Sequence, residues 1–370
     1  MLAICAASEV DCGIESYLIP QTRDAVIRFD RFDLSFRTVY AQAKELALTQ
    51  TQVPLLTAGS IQTEKRAGGR FVYRYRYDVS GKRIAEYLGP ESDEKTAAKL
   101  QSANQDIKDQ EALAARSQAL RKIGYYSADN STLVTVASLF NAGIFGQGAV
   151  LVGTHAFGVI LNELGVSAGP FPLTEDIDVA RAQRIEIAAL PEGGLLKLLK
   201  QTGLPFHEVP RLKRGKPSTS FKVRGRALKV DLLIPSKRAP YRSIPVPELG
   251  AHATGLPYLD YLVEDSVISI LIGRDRIVPV TVPHAGRFCI HKLVVQTLRG
   301  AADNPKREKD AFQAVLLATV LAEEQDFLLR EAIHAMTKQL RSRAKTGAKG
   351  ALKILQEDHP AAAEIIQQLA

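Results

Sequence analysis

The sequence predicts an α/β (α+β) protein, with a small β-hairpin and helix ahead of a strand-and-helix core and a mostly helical C-terminal half. Three observations carry this. The apolar run Val150-Leu151-Val152 ends in Gly153-Thr154, and Phe157, Ile160, Leu161 and Leu164 then recur at helical spacing. Residues 221–224 and 228–234 alternate side chains on either side of Gly225, the period of strands. From Ile290 to Val320 the apolar positions fall instead on the 3.6-residue period of two helices. These textures divide the chain into residues 1–125, 126–245 and 246–370.

Bulk composition agrees with a folded chain of several parts. Its 370 residues are enough for two or three compact domains, and 46% hydrophobic with 24% charged residues excludes wholesale disorder. No apolar run reaches the roughly 18 to 20 residues of a membrane span, so no membrane association is expected. Residues 1–16 are mildly apolar but lack a basic start and meet Glu9 and Asp11 early, unlike a secretory signal or an anchor. Three cysteines, Cys5, Cys12 and Cys289, have no CxxC spacing. They argue against a disulfide framework or a structural zinc site and favour a reducing cytoplasm. A formal charge of +8 favours an anionic partner, although solvated lysines alone can produce such a total.

In the first region, Phe36, Val39, Ala43 and Leu46 suit a helix within residues 31–50. Residues 72–77 alternate strictly, Asp78 to Gly81 supplies a turn, and residues 83–88 return as the second strand of a hairpin. Its exposed face is expected to carry Arg74 and Arg76, flanked by Lys65, Arg66, Arg70, Lys82 and Arg83. After Gly89-Pro90, residues 91–122 read as one polar helix with at most a narrow apolar stripe, suited to bridging regions. Residues 331–370 read as helical, interrupted by the basic stretch 341–349 with Gly347 and Gly350.

Chemistry concentrates in the middle. A strand ending in Gly153-Thr154 before a helix offers backbone N–H groups and a hydroxyl at a helix N-terminus, a natural seat for phosphate, though such turns are common. Asp176 and Asp178 stand at i and i+2 in Thr174-Glu175-Asp176-Ile177-Asp178-Val179-Ala180, so on a strand they share a face and can bind a hard divalent cation, Mg²⁺ (or Mn²⁺). Alone, the pair also suits an exposed edge strand. The third carboxylate is Asp231, opposite the apolar face of Leu228, Val230, Leu232 and Ile234, where burial without a partner would be costly. The hairpin turning at Gly225 is expected to deliver Asp231 into the sheet holding Asp176 and Asp178. Three carboxylates can hold two Mg²⁺ for an in-line displacement, with Asp231 also placed to help deprotonate an attacking hydroxyl.

In that order, the Gly-Thr turn, the D-x-D strand and the later strand aspartate resemble the motifs of the DNA-polymerase-β-like nucleotidyltransferase superfamily. Asp176 follows Gly153 by 23 residues and Asp231 follows Asp178 by 53, spacings that suit the pattern. Residues 277–293 and 306–314 are similar to the C-terminal half of a bacterial family of nucleotidyltransferase-fold proteins, loosely akin to abortive-infection and toxin-type nucleotidyltransferases. The resemblance covers about residues 140–330. It implies a polymerase-β-like core with a mixed sheet, an NTP substrate, catalytic and metal-holding roles for Asp176, Asp178 and Asp231, and nucleotide contacts from Gly153, Thr154, Lys292 and Lys309. His155 departs from the small residue usual after the turn.

Read unaided, the helical half buries Ile290, Leu293, Val294, Thr297 and Leu298 on one helix and Phe312, Val315, Leu316, Thr319 and Val320 on the next. Lys292, Gln296 and Arg299, and Lys306, Lys309, Asp310 and Gln313, are left on the polar sides, where they could simply be solvated. Asp310 could orient Lys309 or a neighbouring cation. His207, His252, His284 and His291 have no metal-ligand spacing. Two basic segments, 65–83 and 211–229, are candidate contacts for a nucleic-acid acceptor, the first by interleaving tyrosine with arginine. Transfer of a nucleoside monophosphate from an NTP to a hydroxyl acceptor, RNA or tRNA, protein or small molecule, accounts for most of these features. A two-metal phosphodiesterase or nuclease, or a non-catalytic nucleic-acid-binding protein, could carry the same carboxylates.

Overall fold

The computed structural model describes residues 28–169, 175–181, 192–210, 217–237, 241–300 and 303–369. Its elements begin with a two-residue strand, β1 (Asp30–Arg31), and helix α1 (Leu34–Leu48), which buries Tyr40, Ala43 and Ala47. Three antiparallel strands follow in the order β2 (Ser60–Arg66), β3 (Gly69–Tyr77) and β4 (Arg83–Pro90). The expected hairpin is the β3–β4 pair. Strand β2 adds an edge that its sequence, Ser-Ile-Gln-Thr-Glu-Lys-Arg, has too few apolar positions to announce.

The faces of this small sheet are the reverse of the expectation. Helix α2 (Glu94–Ile123) covers one side, where Val72 and Leu88 meet Ala103. Arg74 lies on that covered side and not on an exposed face. It is 4% exposed, donates to the Ala58 carbonyl at 2.9 and 3.1 Å, and pairs with Asp106 of α2 at 2.6 Å. A guanidinium tolerates such burial because a carboxylate and a carbonyl replace its water. By alternation Phe71, Tyr73, Tyr75 and Tyr77 point away from α2. The helix itself is the predicted polar one. The Asp93 carboxylate caps it by accepting from the Lys95 N–H, and Gly124 ends it in the left-handed region.

The core continues through α3 (Asn130–Asn141), β5 (Ala149–Val152), α4 (Gly153–Glu163), β6 (Val166–Ser167), β7 (Asp176–Arg181) and α5 (Gly194–Lys200). After it come β8 (Phe206–Glu208), β9 (Ser220–Val223), β10 (Lys229–Pro235), β11 (Ser243–Val246) and β12 (Ala251–Leu256). All but β6, which pairs with β1, join one seven-stranded mixed sheet ordered β11-β12-β10-β7-β5, with β9 beside β10 and β8 beside β9. Strands β7, β10 and β12 run parallel, whereas β5 is antiparallel to β7. Along its far edge β10 meets β9 at Lys229–Asp231 and β12 at Leu233–Pro235. Ile177, Val179, Val230 and Leu232 are buried in the core, and the aspartates alternate with them on the opposite face.

Helix α6 (Leu259–Val263) leads to a hairpin of β13 (Ser266–Ile272) and β14 (Ile277–Pro283). The helical half follows as α7 (Ala285–Val295), α8 (Asn304–Glu324), α9 (Asp326–His334), α10 (Lys338–Asp358) and α11 (Pro360–Gln367). Helix α10 runs unbroken through Gly347 and Gly350, against the expected interruption. Gly347 marks close packing: a Cβ there would stand 2.0 Å from the Leu293 carbonyl oxygen of α7. Among the described residues no helix is long and apolar enough to cross a membrane. Cys289 is free and buried, while Cys5 and Cys12 lie outside the described residues.

Candidate active site

Strand register assembles the centre. Parallel pairing sets Asp231 of β10 directly beside Asp178 of β7, and Lys229 beside Asp176. Neighbouring strands are about 4.8 Å apart, so the three carboxylates and one ammonium occupy a single patch. On the other side of β7, Val152 pairs with Asp178, and α4 starts at the next residue, Gly153. Gly153 has φ of 73°, and a Cβ on it would lie 2.2 Å from Asp178 Oδ2. Only glycine lets the carboxylate sit against the helix start. Thr174, at the head of the D-x-D stretch, lies outside the described residues.

The charges in this patch are unbalanced. Burial, then Asp231, then Asp176 push the Asp178 carboxyl up to about 7. Lys229 Nζ stands 2.7 Å from Asp231 Oδ2 and 3.8 Å from Asp176 Oδ2. Burial works against its charge, but the bond to Asp231 and the surrounding carboxylates outweigh it and raise its pKa. Asp231 Oδ1 is buried and has no hydrogen-bond partner. Sequence reasoning placed Lys229 only in a diffuse basic segment. The signal was there, because a residue two before Asp231 on a strand shares its face. Residues 211–216 of that segment lie outside the described residues.

The helical half delivers two lysines to the same place, in different conditions. Lys309 Nζ of α8 donates to Thr154 Oγ1 at 2.7 Å. Burial, and then the field of Lys292, lower the pKa of Lys309, with Asp310, Asp178 and Asp176 opposing. Lys292 Nζ of α7 donates to Asp310 Oδ1 at 2.7 Å, and Arg299 Nε donates to Asp310 Oδ2 at 2.8 Å. Burial alone would raise the Asp310 pKa, yet Lys292 and Arg299 hold it below the ordinary carboxylate range. Lys292, Asp310 and Gln313 are buried in an interior polar seam, whereas Gln296, Arg299 and Lys309 are partly buried and Lys306 is exposed. Asp310 orients Lys292 and Arg299, not Lys309. Both lysines remain within electrostatic reach of Asp178.

His155, one residue past Thr154, turns into the interior. Its Nδ1 is 2.6 Å from the Tyr126 hydroxyl, its Nε2 is buried without a partner, and burial pushes the imidazole down to about 4. It is held neutral at ordinary pH.

Does the centre suit a divalent cation? Its donors are carboxylate oxygens, which hard cations prefer. One of them is an orphaned buried oxygen, and one carboxyl is raised by its like-charged neighbours, the penalty a cation removes. Among the described residues, no three His, Cys, Asp or Glu side chains already converge as a finished cage. Instead the Lys229 ammonium stands between Asp231 and Asp176. The donor chemistry fits Mg²⁺ or Mn²⁺, and the side chains are arranged around an internal cation.

A mixed sheet that gathers three aspartates beside a Gly-Thr helix start, with Lys309 of the helical half bonded to Thr154, defines an α/β protein with a charged candidate centre. The model of a nucleotidyltransferase family matches residues 131–338, a span that includes every residue named in that centre, and the chain belongs to this family. Neither the comparison with curated proteins nor that with solved structures found a match.

Proposed function

We propose that this nucleotidyltransferase is a divalent-cation-dependent enzyme of the polymerase-β-like kind, moving a nucleoside monophosphate from an NTP to a hydroxyl acceptor with release of pyrophosphate. The observation that carries the reading is the register match of Asp178 with Asp231, which concentrates negative charge beside the Gly153-Thr154 helix start. Asp176, Asp178 and Asp231 would hold Mg²⁺ or Mn²⁺, which when bound supplies Lewis acidity to phosphoryl transfer. Lys309 and the Thr154 hydroxyl, at the N-terminus of α4, would position the triphosphate. The free oxygen of Asp231 would take the proton from the acceptor hydroxyl as its oxygen attacks the α-phosphorus and the bond to the β-phosphate oxygen breaks. Net positive charge favours a nucleic-acid acceptor, RNA or tRNA foremost.

The test is incubation with each α-labelled NTP, Mg²⁺ or Mn²⁺ and total RNA. Label on RNA, or on the protein itself, is the expected result, and Asp178→Ala should abolish it. Transfer that survives this substitution overturns the site, and RNA degradation without NTP reassigns it to phosphodiester hydrolysis.

A further inference from the structure

The sheet β2-β3-β4 has one face on α2, and its other face is built of aromatic rings and guanidiniums: Phe71, Tyr73 and Tyr87 are partly or well exposed there, while Tyr75 is buried beneath Arg83 and donates its hydroxyl to Glu64. Phe71, Tyr73 and Tyr75 lie along β3, with Tyr87 of β4 paired to Tyr73. Ring centroids are 5.2 Å apart for Tyr73 and Tyr87, 6.2 Å for Phe71 and Tyr87, and 6.1 Å for Tyr73 and Tyr75, one continuous patch. The Arg66 guanidinium stacks on Tyr73 at 4.8 Å and that of Arg83 on Tyr75 at 4.0 Å. Tyr87 is 50% exposed, although Leu88, the next residue, is buried against α2. A lone exposed tyrosine is ordinary. A row of them stacked with guanidiniums is a surface of π faces and charge, positive at Arg83 and balanced at Arg66, which pairs with Glu64 at 2.6 Å. Its complement is a polyanion with uncovered bases, and duplex would hide those bases.

The face also connects to the carboxylates. Asp78, in the β3–β4 turn beside exposed Lys82, packs on Gly203, with Oδ2 3.0 Å from where a Cβ would stand. Two residues on, the Pro205 carbonyl accepts from the Arg224 N–H at 3.2 Å. Arg224 continues β9, where Lys222 pairs with Lys229 and Ser220 pairs with Asp231. Lys222 and Arg224 are exposed. The stretch from Arg224 to Ser220 spans only about 13 Å at the rise of a strand.

We propose that the aromatic face of β2-β3-β4 is a stacking platform for single-stranded nucleic acid, from which the strand passes Lys82, Arg224 and Lys222 to the aspartate centre. That the strand's hydroxyl then serves as acceptor rests on the transferase reading, but the binding does not. Fluorescence anisotropy of labelled oligonucleotides, RNA and DNA, single-stranded and duplex, titrated with the full chain without metal, tests it. Single strands of at least one sugar type should bind more tightly than their duplexes. Tyr87→Ala and Tyr73→Ala should each weaken binding roughly 5- to 100-fold, and Tyr87→Phe should retain it. Lys222→Gln with Arg224→Gln should lower the salt slope by about 0.7 per charge removed. Equal binding of duplex, or wild-type affinity in Tyr87→Ala with its circular dichroism unchanged, overturns the platform. So does a wild-type chain that binds no oligonucleotide and whose self-association is lost in Tyr87→Ala, since the face is then an interface between copies. Binding without transfer defeats the transferase reading alone, and transfer to RNA unaffected by Tyr87→Ala defeats the platform alone.

Discussion

The cluster on the central sheet and the cluster between α7 and α8 are built from the same kinds of side chain and are finished to different degrees. Between the helices, one aspartate meets two cations, and each oxygen of Asp310 has its own donor, Lys292 or Arg299. On the sheet, three aspartates share one ammonium, Asp178 is pushed up to about 7, and Asp231 keeps a buried oxygen with no partner. Folding tolerates an unbalanced charge cluster only when something outside the chain completes it or when its neighbours overdetermine it. The contrast divides the lysines too. Lys292 is tied to Asp310 in the interior, whereas Lys309, partly buried, is bonded to the Thr154 hydroxyl and has no carboxylate of its own among the described residues.

Activity is where the contrast should show most. Asp178→Ala or Asp231→Asn should lower nucleotidyl transfer by about a thousandfold or more, since ligands to a catalytic cation are worth several kcal/mol of transition-state stabilisation. The lysines should separate next. Lys309→Met should raise the KM for NTP about 10- to 100-fold, the worth of a charged hydrogen bond, without lowering Tm, because burial of its ammonium costs stability already. Lys292→Met should instead cost about 2 to 4 kcal/mol of stability by leaving Asp310 half-paired in the interior, seen as a Tm several degrees lower. Equal stability losses for the two would erase the distinction between scaffold and site.

A pH scan sharpens it further. A carboxyl near 4 when unfolded and about 7 when folded takes up a proton on folding between those values. The metal-free protein therefore has the full benefit of a protonated Asp178 in acid and loses it as pH rises through 7. Asp178→Asn, which cannot ionise, should be more stable than the parent by about 1 to 3 kcal/mol at pH 8, the full shift being discounted for the solvent Asp178 still meets. The advantage should shrink steadily toward pH 4.5. Thermal denaturation in chelator measures it, and an advantage independent of pH would place the charge elsewhere.

What sequence reasoning reached and missed follows the range of the forces involved. Strand period located Asp176, Asp178 and Asp231, and register then joined them, because a period of two fixes which side chains share a face. Gly153 was found as a turn, but its deeper reason, the Asp178 oxygen where a Cβ would stand, depends on a contact across 25 residues. The errors came where a charge was assumed to seek water. Arg74 goes inward because Asp106 of α2 awaits it; Lys292, expected as a nucleotide contact with solvation as the alternative, is held in the interior by Asp310, and neither partner is adjacent in the chain. Gly347 misled similarly: local propensity reads a break where close packing of α10 on α7 demands the missing side chain. Period 2 is local and legible, while pairing across elements is neither.

Lys229 offers the smallest effect and the finest test of the contrast. Its ammonium stands 2.7 Å from Asp231 and 3.8 Å from Asp176, so on the proposed reading it would compete with a divalent cation for their oxygens. Removing it should make the carboxylates less balanced, and so destabilise the metal-free fold while tightening its hold on cations. Lys229→Met is expected to bind Mn²⁺ about three- to tenfold more tightly than the parent, the worth of a partly exposed ion pair, as measured by calorimetry or by the spin-resonance signal of free Mn²⁺. Weaker binding in the variant would mean that Lys229 positions Asp231 for the metal instead of standing in for it. The sheet cluster would then carry a scaffold contact of its own, like the one between α7 and α8.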